Sequence, residues 1–442
     1  MRLKLFFLLT FVASLFTYSA YSQIKPPLVL NLEKAIDMAL ENNETILIAH
    51  NDVETSRALL REAWADALPQ INFNGIYTRN IKQPVFFFPD PMTGEQRAFR
   101  IGSKNSYVLN LTFDQPLFQS GKVSGGIKAA NLFKKYSNEG FQAVRADVIL
   151  SVRKAYYTVQ LDQQLLDINQ QSLNQQMAHL INTRKLFKQG QVSELDTLRA
   201  WVDYTNLQPQ VLRTENNLRI AENRLKELIG LHLEEKIVLE GELNFEHTNG
   251  ISLAEMQEIA LRDRPELKQL EYQTNMLKYN IGITRADLLP KLYFNGTYQS
   301  LAQSDLFDFG EGFQSSISGA IRLEVPIFNG LRTHAKIQQA KLSYKNAQHQ
   351  LDLFLDNLKI EVKSILLNIK ESEKRLQVQQ HAIKQADRAL YIAQRRYNEG
   401  VGTQIEIGDA LLALNVTKTN YVQAVYDHKI ALAELNKAIG RD

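Results

Sequence analysis

The chain contains no cysteine. An exported protein without thiols has no disulfide framework and must fold by burial or by assembly. Thiolate chemistry, thiolate metal sites and a thioether-linked N-terminal lipid go with it. Past the N-terminal region no apolar run reaches about 18 residues, so a mature chain that crosses a bilayer does not do so with helices; a β-barrel stays open. A dominant charge is missing too. Lys and Arg number 51 against 48 Asp and Glu, which gives no reason to expect a nucleic-acid partner. The eight histidines are scattered and form no His-x-x-x-His pair. No phosphate-cradling glycine loop appears, since Gly121 and Gly125-Gly126 sit at a strand-to-helix junction, and no nucleophile motif stands out. These absences predict no catalytic residue, no cofactor and no metal site.

What is present begins with an address. Arg2 and Lys4 precede the apolar run Leu5 to Phe16, and Ala20-Tyr21-Ser22 follows as a small-x-small site. The run is short for a membrane anchor, which needs about 20 residues. Residues 1–22 therefore read as a cleaved secretory signal peptide with Gln23 as the mature N-terminus. Losing Arg2 and Lys4 lowers the formal net charge from +3 to +1.

The rest is written twice. Leu68-Pro69-Gln70-Ile71-Asn72-Phe73-Asn74-Gly75 recurs as Leu289-Pro290-Lys291-Leu292-Tyr293-Phe294-Asn295-Gly296. Pro116-Leu117-Phe118, Phe187-Lys188-Gln189-Gly190 and Leu228-Ile229-Gly230 recur as Pro326-Ile327-Phe328, Tyr397-Asn398-Glu399-Gly400 and Ala438-Ile439-Gly440, all at an offset of 210 residues. Ordered matches at one offset indicate duplication. Residues 23–230 form a first repeat, 231–251 a linker and 252–442 a second repeat. Each repeat orders its signals alike: a helical stretch (32–67; 253–288), two strands around a loop, a very long helix, a glycine-containing turn and a further long helix.

The strands alternate with period two. Tyr107, Leu109, Leu111 and Phe113 oppose Asn110, Thr112 and Asp114; Ile317, Ile321, Leu323 and Val325 oppose Ser318, Arg322 and Glu324. Pro116 and Pro326 are expected to end their strands. Tyr77, Tyr107 and Tyr298 near strand ends suit an interfacial girdle. A soluble sheet with one buried face and a barrel wall both produce this alternation. Four strands cannot close a barrel, for which about eight is the usual minimum, so a barrel would require several chains.

The stretches 123–187 and 331–397 run without proline and would each span roughly 100 Å as helices. Ile337, Ala340, Tyr344, Ala347, Leu351, Phe354 and Leu358 alternate steps of three and four, the spacing of coiled coils. The consecutive steps of four at Phe354, Leu358 and Val362 locally unwind a supercoil. The helix after the turn covers about half of its partner, so two shorter helices stacked end to end should flank each long one. Pro209 falls inside the shorter helix and is expected to kink it.

With these residues in view, the chain resembles the TolC-like outer-membrane factors over essentially its whole mature length. The resemblance rests on the duplicated order, the Leu-Pro strand entries at Leu68 and Leu289, the Pro-Leu/Ile-Phe exits at Pro116 and Pro326, and the turn Tyr397-Asn398-Glu399-Gly400-Val401-Gly402-Thr403. It implies a mainly α fold with a β-barrel contribution: a homotrimer with an α-helical tunnel and a 12-stranded transmembrane barrel, four strands per chain. It implies an outer-membrane exit duct with a periplasmic helical portion, working with a periplasmic adaptor and an inner-membrane pump in efflux. The outlet of a type I protein secretion system is an alternative within the family. A periplasmic coiled-coil adaptor or scaffold is the alternative outside it, although an adaptor needs only one helical hairpin.

The family pattern also points to constricting carboxylates after the second turn. Glu406 and Asp409 occupy those positions, and the first repeat has Asp196 and Arg199 there. Helix capping is the competing account, since Thr403-x-x-Glu406 reads as a capping box and Ser193-x-x-Asp196 is close to one. The turns themselves, with Gly190, Val192, Ser193, Gly400, Val401, Gly402 and Thr403, are candidates for adaptor contact. Phe86-Phe87-Phe88-Pro89-Asp90-Pro91 and Asp305 to Gly312 are expected as strand-joining loops facing outside the cell.

Overall fold

A computed structural model describes residues 27–441 apart from 90, 93, 246–249, 251, 310 and 311. The expected signal peptide lies outside the described residues. The elements in chain order are β1 (Leu28–Leu30), α1 (Leu32–Asn42), α2 (Glu44–Ala65), β2 (Gln70–Arg79), β3 (Val85–Pro89), β4 (Gln96–Arg100) and β5 (Asn105–Phe118). They continue as α3 (Lys122–Lys188), α4 (Glu194–Leu228), β6 (Ile237–Leu239), α5 (Leu253–Asp263) and α6 (Pro265–Arg285). A 3-10 turn precedes β7 (Lys291–Ser304), β8 (Gln314–Glu324), α7 (Arg332–Asn398) and α8 (Gln404–Ala438). Both long helices have 67 residues and both shorter ones after the turns have 35. The chain forms two compact units, each made of three separated stretches.

One unit, from 44–147, 250–366 and 435 onward, holds the main sheet. Its antiparallel order is β2-β5-β7-β8. That order dictates which helices are neighbours. Helix α2 enters β2, β5 leaves into α3, α6 enters β7 and β8 leaves into α7. With β5 paired to β7, α3 and α6 emerge side by side and antiparallel. Lys128 and Lys135 on α3 lie over Tyr279 and Tyr272 on α6, each 5.9 Å from the ring centroid and one heptad apart. The Lys122 ammonium meets Asp287 at 2.9 Å, and His50 on α2 meets Phe141 edge-on at 6.3 Å. The long helix of the first repeat thus packs against the pre-strand helix of the second.

The sheet's two faces differ. Phe73, Leu111, Tyr298 and Ile317 align across all four strands in one row. Every member is exposed, with Phe73 at 70% and Ile317 at 84%. The next row on the other face reads Asn72, Thr112, Thr297 and Ser318. One row breaks the alternation: Ile76, Val108 and Leu301 lie on the otherwise polar face. Tyr107 departs from the expected girdle, because Phe309 and Phe313 cover it at 5.4 and 6.5 Å and leave it 4% exposed. Pro116 does not end β5; the strand runs to Phe118 with a register shift between them. The expected loop around Phe86 is itself a hairpin, β3 paired with β4.

The other unit, from 43 back, 148–249 and 367–434, is helical with one short parallel pair. Residues 231–251, expected as a linker, contain β6, whose Ile237 and Leu239 align with Leu28 and Leu30 of β1. The Tyr156 hydroxyl on α3 donates to the Glu240 carbonyl at 2.7 Å and holds this pair against the helix. Leu161, Leu376, Val422 and Val425 form its core. Helix α3 joins α4 through Asn169 and Thr214 and joins α8 through Lys154 and Glu434. Pro209 lies within α4 and does not end it.

Each expected pre-strand helix is divided in two. In the second repeat, proline at the first position of α6 holds Arg264 extended at φ −60°, ψ 118°. In the first, Asn43 takes φ −72°, ψ 125° and its side chain donates to the Leu228 carbonyl at 2.9 Å. Neither break shows in apolar periodicity, which continues across it.

Each strand-to-helix turn uses two consecutive left-handed residues: Ser120 and Gly121 (φ 52° and 86°), then Gly330 and Leu331 (φ 66° and 61°). A leucine in this region is strained by about 1–2 kcal/mol, and Leu331 is 63% exposed. Leu331→Gly should therefore raise the unfolding midpoint, through a gain in unfolding free energy of about 1 kcal/mol. A lowered midpoint would mean that something outside the chain holds the leucine.

Candidate functional site: the paired helical turns

The turns joining α3 to α4 and α7 to α8 lie in the helical unit and share one geometry. Gly190 N donates to Phe187 O at 2.9 Å and Gln191 N to Leu186 O at 3.0 Å. In the second turn Gly400 N donates to Tyr397 O and Val401 N to Arg396 O, both at 3.0 Å. This is the Schellman arrangement, which requires a left-handed residue; Gly400 supplies it at φ 75°. Gly402 is constrained by space instead, since a Cβ there would lie 2.9 Å from the Tyr397 backbone nitrogen.

The turns meet around a concavity of about 430 Å³. Gly190, Val192, Ser193, Asp196, Gly400, Gly402 and Thr403 all line it, which brings nearly every expected adaptor-contact residue together. Val401 is not among its walls and points outward, 66% exposed. Leu390, Tyr397, Ile407 and Leu411 of α7 and α8 pack beneath, and Leu186 and Val192 from the first turn lie against them.

The four charged candidates separate by environment. Asp196 is a helix cap: Ser193 N donates to its carboxylate at 3.1 Å and Asp196 N donates back to Ser193 Oγ at 3.3 Å. Glu406 is half a cap. Its backbone N–H donates to Thr403 Oγ1 at 3.3 Å, but its carboxylate turns to Arg396 at 3.5 Å. Asp409 is exposed and forms no ion pair of 4.0 Å or less among the described residues. It lines a second cavity of about 430 Å³ together with Arg199, Asp203, Gln176 and Gln404. The structure therefore places Arg199 and Asp409, from different repeats, around one space.

Sequence reasoning missed the polar group behind that cavity. His179 contacts the Gln404 side-chain oxygen and packs edge-on to Tyr397 at 5.5 Å. The Gln404 Nε2 donor and Gln176 Oε1 acceptor are buried and form no hydrogen bond among the described residues. Both line the cavity, so it offers a donor and an acceptor beside one cation and two carboxylates. No spacing rule marks these residues: His179, Gln404 and Asp203 lie on three helices.

Burial holds the His179 pKa below the ordinary 6.5, against the opposing Gln404 hydrogen bond and Asp203 charge. Burial raises Asp203 above 3.8, opposed by His179 and Arg199. Stability contributed by neutral His179 is thus complete above pH 6.5 and is lost as pH falls through its lowered pKa. The Asp203 contribution runs the other way: complete below 3.8 and lost as pH rises through its raised value.

Residues 35–231 and 257–441 match the outer membrane efflux protein family. The chain is 25% identical over 418 residues to the solvent efflux pump outer membrane protein SrpC of Pseudomonas putida, covering 92% of this chain and 85% of that one. It is 23% identical over 415 residues to the alkaline protease secretion protein AprF of Pseudomonas aeruginosa, covering 92% and 83%. The structure of the Campylobacter jejuni CmeC outer membrane channel shares the fold, with a TM-score of 0.80 at 20% identity over 92% of this chain and 85% of that one.

Amide exchange at the two turns should accelerate several-fold between pH 7.5 and 5.5, after correction for intrinsic rates. His179→Asn should abolish that acceleration; an equal acceleration in the variant would show that another group titrates there.

Proposed function

The chain belongs to the outer membrane efflux protein family, and from that premise we propose that three copies assemble into an exit duct. One observation carries the proposal: the sheet of a single chain is unfinished on both sides. Among the described residues β2 and β8 are its edges, and a lipid-exposed edge leaves backbone groups unpaired at several kcal/mol each. The flanking helices are unfinished as well. Ile48 on α2 and Leu353 and Ile360 on α7 are each more than 60% exposed. Joining β8 of one copy to β2 of the next pairs the edges and brings α7 beside α2. Three copies give twelve strands, with the apolar face toward lipid and the polar face toward water.

In this reading the repeats 23–230 and 252–442 each contribute two barrel strands and one helical turn. The protein is a conduit and catalyses no reaction. The turns dock the periplasmic adaptor of an inner-membrane pump, with Val401 as the projecting apolar contact and the paired turns as its seat. Among the acids, Asp409 is the constriction residue, since Asp196 is committed to its cap and Glu406 to Arg396. Three symmetry-related Asp409 carboxylates would repel one another and attract cations, and Arg199 beside each would moderate that field. SrpC and AprF carry differently named cargoes on one chain plan, so cargo is assigned to the pump and adaptor.

An unboiled outer-membrane extract should run as an oligomer that collapses to a monomer on boiling. A monomer in the periplasmic fraction would overturn the duct. In planar bilayers Asp409→Ala should raise single-channel conductance or weaken cation block, and Glu406→Ala should do less. Unchanged conductance and block in the double variant would remove both acids from the pore.

A further inference from the structure

The β3–β4 hairpin continues from the ends of β2 and β5 opposite the helices. Its base is fixed. Asn80 N donates to Lys104 O at 2.7 Å, Ile101 N to Pro84 O at 3.0 Å, and Asp305 accepts from Lys104 N at 3.0 Å. Above this base its large apolar side chains stand exposed. Phe86, Phe88 and Phe99 share one face, and Val85 and Phe87 the other. All five are exposed, Phe87 the most at 63%. A two-stranded hairpin alone is marginal in water, and one with aromatic rings exposed on both faces needs a partner for them.

Its charge names the partner. From Arg79 to Lys104 the sequence has five basic residues and two acidic ones, a net +3, against a net −2 for the rest of the chain without residues 1–22. Arg97 stands opposite Phe88 on the face of Phe86 and Phe99, and Arg100 opposite Val85 on the other, so each face carries a cation beside its apolar side chains. Three such hairpins turned toward one another would gather like charge, which repels. A surface that is anionic outside and apolar within satisfies both kinds of side chain: the rings enter it while the long basic side chains keep their heads at its charged level.

We propose that the β3–β4 hairpin is a lipid-binding arm that folds against the outer leaflet around the barrel, with Lys82 and Arg97 on lipid phosphates and Phe86, Phe88 and Phe99 among acyl chains. The proposal rests on the reading of the main sheet as a barrel wall. The arm attaches each copy to the membrane beyond the strands themselves and gives the rim a preference for phosphorylated lipid.

The test uses the purified full-length assembly in detergent, titrated with bisphosphorylated lipid A and with the same lipid dephosphorylated, and read by native mass spectrometry. Wild type should retain the phosphorylated lipid at least tenfold better. The double variant Lys82→Ser, Arg97→Ser should lose that preference, and Phe86→Ser, Phe88→Ser, Phe99→Ser should weaken retention of both lipids. Equal retention by wild type and the charge variant, or equal retention of the two lipids by wild type, would overturn the proposal. Because the chain has no cysteine, Ala98→Cys provides a clean second readout. Cross-linking between copies would show that the hairpins meet one another and would also overturn it. Heat-modifiable mobility separates the two levels: its loss in wild type refutes the barrel, whereas its retention in variants that bind lipid unchanged refutes only the arm.

Discussion

Backbone hydrogen bonding across the junction of the two repeats organises the sheet unit. The β5–β7 ladder joins the second strand of one repeat to the first strand of the other, from Asn105–Ser304 to Phe118–Leu292. Each strand continues into a helix, so this pairing also sets α3 against α6 and leaves α2 and α7 at the margins. The same ladder leaves β2 and β8 as edges. An edge in lipid is intolerable, so in the proposed barrel the need for further copies follows from where the ladder lies.

The helical unit solves a different problem. Two helix–turn–helix hairpins must present turns of defined shape at one place, and the duplicated Schellman geometry does this with backbone bonds alone. Side chains at the turns are then free to diverge. Asp196 became a cap, Glu406 an ion-pair partner, Asp409 an exposed carboxylate and Arg199 a cation, on backbones that remain alike. Behind them the part-buried His179 and two buried glutamines form a polar layer in the seam. Such a layer is weaker than a leucine core and responds to protons.

Much of this was legible in the sequence because it follows from local rules. Duplication at a constant offset, period-two strands, proline-free heptad stretches and glycine turns each write a pattern into neighbouring residues. The bounds 123–187 and 331–397 fall within a residue of α3 and α7 at each end. The breaks at Asn43 and Arg264 were harder to see, since apolar spacing does not register a single extended residue. The β6 strand was hidden because three residues inside a polar connection give no period. Tyr107 was misplaced among the girdle residues because the rings that bury it arrive from a loop about 200 positions away.

The sequence by itself determined the element types, their order and the alternation that gives the sheet one apolar and one polar face, because each is a matter of spacing along the chain. Only the tertiary structure decided which repeat's helix packs on which, that Asp409 and Arg199 share a space while Asp196 serves its own helix, and that His179 meets Gln404. Those outcomes depend on strand pairing and on contacts between residues far apart in sequence, and no local pattern encodes them.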